Sequence, residues 1–323
     1  MSTLSPEEDS SPRAGESLTT REVDTRRVTI FLVFAFGIAW AVALVIYLTG
    51  GLKDSPMLLP ALNLNLATVL LAVAYMPAPA LAHVITRLIT REGWRNTYLR
   101  PELKRGWPYW LFAWFGPAIL TVLGGVVYFL IFPQHFDPSL STLQELLDAA
   151  AARTGQEIAL PFPIWVLAAL QAVQGVLLAP VINSLFTFGE EFGWRAYLQP
   201  KLLLLGWRPA MVWMGVIWGL WHAPVIAMGH NYGLEYPGAP WAGVLMMIWF
   251  TFVTGTFLGW LTLRGGSVWP AVIGHAALNG IAGLAALFTR GEPNPLLGPL
   301  PVGFIGGMGF TLVALWLLWK TED

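Results

Sequence analysis

The sequence of 323 residues contains no cysteine and little charge. Without cysteine the chain can form no disulfide, no thiolate zinc site and no cysteine nucleophile. Charged residues make up 11% of the chain, against roughly 25% in soluble domains. The net charge of −1 comes with no basic stripe, so no nucleic-acid partner is expected. With 56% hydrophobic residues, the composition indicates an all-α, polytopic protein of the cell membrane. Membrane lipids are therefore expected among its partners.

Three catalytic motifs known from membrane enzymes are also missing. The sequence has no His-Glu-x-x-His and no Gly-Asp pair, and Ser184 and Ser267 lie in no recognisable nucleophile motif. The zinc-binding helix of zincins is therefore absent, and the aspartyl and rhomboid-like serine types are not indicated.

Long apolar runs occur throughout the chain, and a spanning helix requires about 20 such residues. We therefore predict a bundle of about eight transmembrane helices, over residues 28–50, 60–86, 108–132, 163–187, 209–228, 241–263, 268–289 and 299–319. Pro60, Pro77 and Pro79 predict that the second of these is kinked or broken. Pro180 predicts a break in the fourth, followed by a tilted segment over residues 182–205.

Basic residues predict how the chain is oriented. If the N-terminus is cytoplasmic, all 18 Lys and Arg residues except Lys53, Arg153 and Arg290 fall on the inner side. Both termini are therefore predicted to be cytoplasmic. The predicted divisions are a disordered cytoplasmic tail (1–27), a set of N-terminal transmembrane helices (28–165) and a bundle that carries the polar residues described next (166–323).

The longest outer loop, residues 133–162, contains a run typical of a short amphipathic helix. Thr142 and Glu145 have the spacing of a capping box at its start. Leucines and alanines recur at helical intervals after them, which predicts a helix on the membrane surface.

A group of polar residues interrupts the apolar segments of the second half. Glu190, Glu191 and Arg195 lie in one segment, His222 in the next, and His275 with Asn279 in a third. Ionisable residues are costly in hydrocarbon and usually mark a function. Glu191 and Arg195 are four residues apart and can pair on one helix face. Glu190 points about 100° away from Glu191, which predicts that Glu190 faces a cavity.

Each of these residues alone has a structural explanation as a hydrogen-bonding group between helices. Their concentration in three neighbouring segments favours a single internal site. His83 is predicted to be structural, and His135 and His230 lie in predicted loops and are given no role.

The three segments resemble the CPBP family, the CAAX-protease and bacteriocin-processing (Abi) group of intramembrane endopeptidases. The family pattern EExxxR, FxxxH and HxxxN corresponds here to Glu190-Glu191 with Arg195, Trp218 with His222, and His275 with Asn279. The resemblance covers roughly residues 180–285. It departs from the family at Trp218, where Phe is usual, and at Ala196, where Gly often follows the motif arginine.

The resemblance implies a peptidase in which Glu190 and His222 activate water while His275 and Asn279 stabilise the oxyanion. Glu191, Arg195 and Trp218 would have supporting roles. It leaves the cofactor open between none and one Zn²⁺, and Glu190, His222 and His275 would be the zinc ligands. The expected substrate is a membrane-associated protein, a C-terminally lipidated (CAAX-type) protein or a leader peptide, reached through a site open to the cytoplasm.

Two other functions remain open at this point. A non-proteolytic scaffold or bacteriocin-immunity protein would keep the polar cluster for folding. A proton-coupled carrier would use the carboxylates and histidines as a relay, although no inverted repeat is evident.

Overall fold

The computed structural model describes residues 23–155 and 159–321, and these residues are mostly helical. The α-helices of this part of the chain, numbered α1 to α13, are Thr25–Leu48, Leu66–Leu70, Ala78–Thr90, Leu103–Ile131, Ser141–Thr154, Ile164–Leu177, Ala179–Gly193, Gln199–Leu202, Trp207–Trp221, Ala223–Ala227, Trp241–Gly265, Trp269–Ile281 and Met308–Lys320. Its β structure consists of the short antiparallel pair Met57–Leu59 and Leu64–Asn65 and an isolated bridge. The all-α prediction is confirmed. Most of the predicted tail lies outside the described residues, and α1 begins at Thr25.

The predicted count of about eight spanning helices is not confirmed. Five helical stretches of the described chain are long and apolar enough to cross a membrane, and a bent pair makes a sixth. The predicted span 209–228 is interrupted because α9 ends at Trp221 and Pro224 follows, where proline removes a backbone donor. In the predicted span 299–319 the helix begins only at Met308. At 1.5 Å per residue, its 13 residues cover only about 20 Å.

The bent pair confirms the predicted break near Pro180. Helix α6 ends at Leu177, and the helical stretch Ala179–Leu205 continues at an angle of 47° to it. Pro180 lies in the first turn of α7, where proline is tolerated because its missing N–H would have no partner within the helix. The bend carries Glu190 into the interior of the bundle, where it is 3% exposed.

One end of the bundle collects the basic segments, and we call it the basic end. Arg27, in the first turn of α1, lies 3.7 Å from Glu92 Oε2. Lys201 Nζ lies 2.8 Å from Glu92 Oε1, and Tyr197 Oη donates to Oε2 at 2.9 Å. Burial opposes ionisation of Glu92, but these hydrogen bonds outweigh it and hold the pKa of Glu92 below its usual range.

The opposite end, the loop end, is formed by three loops that bond to one another. Asp137 N donates to Phe288 O at 2.8 Å, and Tyr232 Oη donates to Val302 O at 3.0 Å. The two ends of the bundle therefore differ in character, because basic side chains are gathered at only one of them.

The predicted helix in the longest loop exists as α5, but the predicted capping box does not form. Thr142 Oγ1 donates instead to Thr289 O at 2.9 Å. Just before the helix, Asp137 accepts hydrogen bonds from Ser139 N at 2.9 Å and from Ser141 N at 2.7 Å. These bonds, together with those from the Ser139 and Ser141 hydroxyls, hold the pKa of Asp137 well below its usual range. The hydrogen bond from Thr142 to the distant residue Thr289 therefore replaces the predicted capping box.

The core joins the two halves of the chain. Helix α12 packs along both α4 and α7, and α11 packs along α9. Gly219 permits the close approach of α9 to α11, because a Cβ there would lie 2.5 Å from Ile248 Cα. The predicted division at residues 165 and 166 stays a prediction.

Candidate functional site

A chamber inside the bundle contains the four residues predicted to be catalytic. Glu190 comes from α7, His222 follows the last residue of α9, and His275 and Asn279 lie on α12. All four line one cavity of about 340 Å³. Residues that are 89 positions apart in the chain thus meet at a single site because α7, the end of α9 and α12 all line the same cavity.

Glu190 projects into this chamber and is held by Trp218. The indole Nε1 donates a 2.8 Å hydrogen bond to Glu190 Oε2. Hydrogen bonds to a charged acceptor are among the stronger ones in proteins. The sequence predicted only a packing role for Trp218, whose N–H the usual Phe of the family motif does not have.

Glu191 faces away from Glu190 and joins two other motif residues. Its Oε2 lies 3.1 Å from Arg195 Nε, one helical turn on. Its Oε1 lies 2.9 Å from His275 Nδ1 on α12. Glu191 and Arg195 are fully buried, so their opposite charges offset part of each other's desolvation cost. The predicted Glu191–Arg195 pair is confirmed, whereas the bond to His275 was not predicted.

The Arg195 guanidinium also supports the chamber wall. Its Cζ lies 4.3 Å from the centroid of the Trp218 ring, in a cation–π contact. Trp218 therefore contacts Arg195 with its face and Glu190 with its edge, which fixes the indole between the two charges.

His222 is oriented by the backbone of its own helix. Its Nδ1 lies 2.8 Å from Trp218 O. Since a carbonyl oxygen only accepts, Nδ1 carries the proton, and Nε2 of the neutral ring has a free lone pair. His222 lines the chamber, so it can accept a hydrogen bond there.

Three further lining residues were missed by the sequence analysis. Tyr75 donates through Oη to Trp221 O at 2.6 Å, which fixes the ring against the Trp221 indole. His230 and Asn231 line the chamber from the turn after α10. None lies in a motif, and only their positions in the fold reveal them. His83 is structural as predicted, because it contacts Phe192 O and accepts from Arg87.

A layer of large buried residues separates the chamber from the basic end, and we call it the inner seal. It consists of Trp194, Arg195, Tyr197 and Gln199, each at most 1% exposed. Trp194 packs against Trp221 of the chamber wall, and Tyr197 bonds to Glu92 at the basic end. Most of this layer lies in a π-helical segment, Trp194–Leu198, a form of helix often found at functional sites.

Glu190, His222 and His275 are the possible ligands of a zinc ion in the chamber. Both histidines have the Nδ1 partner that metal-ligating histidines usually have, a carboxylate for His275 and a carbonyl for His222. Yet in residues 23–155 and 159–321 no three His, Asp or Glu side chains lie close enough together to hold a metal ion. The set Glu190, His222 and His275 therefore does not fit a zinc centre as the side chains are arranged.

The fold and the chamber define a class of membrane protein, a helical bundle with carboxylate, imidazole and amide side chains around an interior cavity. Residues 162–281 match the family model described as Type II CAAX prenyl endopeptidase Rce1-like. No curated protein matches the chain. The family match contains all four predicted catalytic residues and confirms the resemblance to the CPBP family of CAAX proteases. It supports an intramembrane CAAX-type endopeptidase in general.

Proposed function

We propose that the protein hydrolyses a peptide bond of a membrane-associated or C-terminally lipidated protein, or of a leader peptide, by a glutamate-based mechanism. The observation that carries this proposal is the convergence of Glu190, His222, His275 and Asn279 on one chamber. A general base and oxyanion donors around one space are the two components that acyl transfer to water requires.

Glu190 is the general base in this mechanism. Its carboxylate removes a proton from water while His222 Nε2 accepts a hydrogen bond from the same water and orients it. The resulting hydroxide forms a bond to the carbonyl carbon of the substrate. Trp218 holds the Glu190 carboxylate in place through the 2.8 Å hydrogen bond. A base fixed at the reacting water contributes typically 10²–10⁴-fold to the rate.

His275 and Asn279 stabilise the oxyanion. Because His275 Nδ1 is directed at Glu191, its Nε2 can donate only if the ring carries both protons. Glu191 supplies the negative charge that such an imidazolium needs. Asn279 contributes a neutral amide donor from one turn further along α12. The proton held by Glu190 then passes to the leaving nitrogen as the C–N bond breaks, which yields a carboxylic acid and an amine.

The arrangement favours the glutamate mechanism over the zinc mechanism, because the possible zinc ligands are not grouped closely enough. Metal content decides between them. Wild-type protein that cleaves peptide with far less than one zinc per chain supports the glutamate mechanism. Loss of zinc and activity together in Glu190→Gln supports the metallopeptidase.

The test of the function compares Glu190→Gln with a matched control, Glu145→Gln. Glu145 is an exposed residue of α5 that does not line the chamber. Both variants and the wild type are reconstituted in liposomes and assayed with quenched fluorescent peptides that do or do not carry a farnesylated C-terminal cysteine. We expect Glu190→Gln to lose at least 100-fold in kcat and Glu145→Gln to retain wild-type activity. Equal cleavage by all three proteins would refute the assignment of Glu190, and cleavage by none would favour the scaffold function.

A further inference from the structure

The chamber is closed towards the basic end of the bundle. Its floor consists of Glu190, Trp218 and His275, which are 3%, 3% and 7% exposed. Below this floor lies the inner seal, in which Arg195 contacts the Trp218 ring. The seal continues to Tyr197 and its bond with Glu92 at the basic end. The reactive carboxylate is therefore separated from the basic end by a packed layer of side chains.

The chamber extends instead towards the loop end. Among the residues that line it, Asn231 and Asn279 are exposed, whereas the residues of the floor are buried. Asn231 lies in the turn after α10, and Val302 of the loop between α12 and α13 lines the chamber beside it. The polar, accessible part of the wall thus lies on the side of the loops.

A second cavity lies at the loop end, next to the chamber. It measures about 230 Å³ and shares Asn231 with the chamber. Its other walls are Thr142 of α5, Thr289, and the Gly- and Pro-rich loop between Gly291 and Leu300. Asn231 therefore lines both the inner chamber and the outer cavity, and its amide can bond to both a donor and an acceptor.

We propose that the substrate polypeptide enters from the loop end and lies extended through the outer cavity, past Asn231, to Glu190. This inference rests on the proposed function and specifies its substrate. Because basic residues favour the cytoplasmic side, the loop end faces away from the cytoplasm. The expectation of a site open to the cytoplasm is thereby reversed. The substrate class is a translocated polypeptide, such as a leader peptide or an exported segment of a membrane protein, rather than a lipidated protein of the cytoplasm.

The absence of cysteine from the natural sequence permits a direct test, which needs no activity. Three single-cysteine variants are made. Leu99→Cys reports the basic end, Leu234→Cys reports the loop end, and Ala282→Cys reports the chamber wall. Leu99 and Leu234 are matched controls, both exposed leucines in loops, at 39% and 48%. A positively charged, membrane-impermeant methanethiosulfonate reagent is applied to right-side-out and to inside-out vesicles, and reaction rates are measured.

We expect Ala282→Cys to react from the same side as Leu234→Cys, at least tenfold faster than from the other side, and that side to be the outer one. Reaction of Ala282→Cys from the side of Leu99→Cys would overturn the proposal. Reaction from neither side, with normal labelling after unfolding, would also overturn it, because the chamber would then be closed to water at the loop end. Reaction of Leu234→Cys only in inside-out vesicles would overturn the assignment of the outer face.

A second measurement links entry to cleavage. Bulky modification of Ala282→Cys is expected to lower peptide cleavage at least tenfold, whereas modification of Leu99→Cys leaves it unchanged. Unimpaired cleavage after complete modification of Ala282→Cys would overturn the proposed route. If the wild type cleaves no peptide while Ala282→Cys still reacts from the loop end, the proposed function fails and the accessibility of the chamber stands.

Discussion

Substitutions in the buried Glu191–Arg195 pair should affect the stability of the protein and its activity differently. Both side chains are fully buried, and Glu191 also bonds to His275. Replacement of Arg195 by Met leaves the Glu191 carboxylate without its guanidinium partner. Breaking a buried pair in this way costs about 3–5 kcal/mol. At 2–4 °C per kcal/mol for a chain of this size class, the unfolding midpoint should fall by about 10 °C.

The double variant Glu191→Gln/Arg195→Met removes both charges. Because a buried pair replaced as a whole is often neutral in stability, the double variant should regain at least half of the midpoint lost by Arg195→Met. Its peptidase activity should nevertheless stay low, since His275 no longer has a carboxylate partner to stabilise an imidazolium. The second substitution should therefore restore stability without restoring activity.

The assay is thermal unfolding in detergent, followed by the fluorescence of the 17 tryptophans, together with peptide cleavage. Arg27→Met is the matched control, because Arg27 and its partner Asp24 are 34% and 42% exposed and exposed pairs contribute about 0–1 kcal/mol. A double variant less stable than Arg195→Met would refute the reasoning, as would an Arg195→Met variant as stable as Arg27→Met.

Three further substitutions test the chamber and the basic end. Trp218→Phe removes the hydrogen bond to the Glu190 carboxylate, which is worth about 1.5–3 kcal/mol, and should lower kcat by roughly 10- to 150-fold at constant KM. Trp213→Phe, at an exposed position of α9, is the control, and equal kcat values would contradict the role of Trp218. Gly219→Ala pushes α9 away from α11 and should lower the free energy of unfolding by about 1–3 kcal/mol. Peptide cleavage should be lost as well, and an unchanged unfolding midpoint would contradict this prediction. Because the folded-state pKa of Glu92 is lowered, its contribution to stability is present above the unfolded pKa and is lost as the pH falls through the folded one. Wild-type stability should therefore drop more steeply than that of Glu92→Gln as the pH falls below the usual glutamate pKa of about 4.3. Parallel curves would contradict a lowered pKa.

The sequence was sufficient to predict features that depend on helical spacing. The pairing of Glu191 with Arg195 follows from a four-residue separation, and Pro180 marks the break between α6 and α7 because proline cannot continue a helix. The four candidate catalytic residues were noticed because polar groups are conspicuous in apolar segments, and their roles were implied by the resemblance to the CPBP family. These inferences depend on local rules, and the structure confirms the pairing, the break and the convergence of the four residues on one chamber.

What the sequence could not predict depends on which helices are neighbours. The bond from Glu191 to His275 joins α7 to α12, and nothing in either segment specifies the other as its partner. The same holds for Thr142, whose hydroxyl bonds to Thr289 O rather than capping α5. The helices within the predicted spans 209–228 and 299–319 are shorter than predicted. Hydropathy alone does not show that Pro224 and the Gly- and Pro-rich loop interrupt the helix.

The inner seal has an electrical consequence for the membrane. If water fills the chamber from the loop end, it carries the outer solution part of the way across the bilayer, so the membrane voltage falls mainly across Trp194, Tyr197 and their neighbours. Each elementary charge that crosses at 100 mV releases about 2.3 kcal/mol, a strong drive for protons to leak. If the protein hydrolyses peptides as proposed, it must admit water to the chamber and still block the flow of ions across the membrane. Proteoliposomes containing the wild type should hold a pH gradient as long as empty liposomes do, and Trp194→Ala should shorten its lifetime.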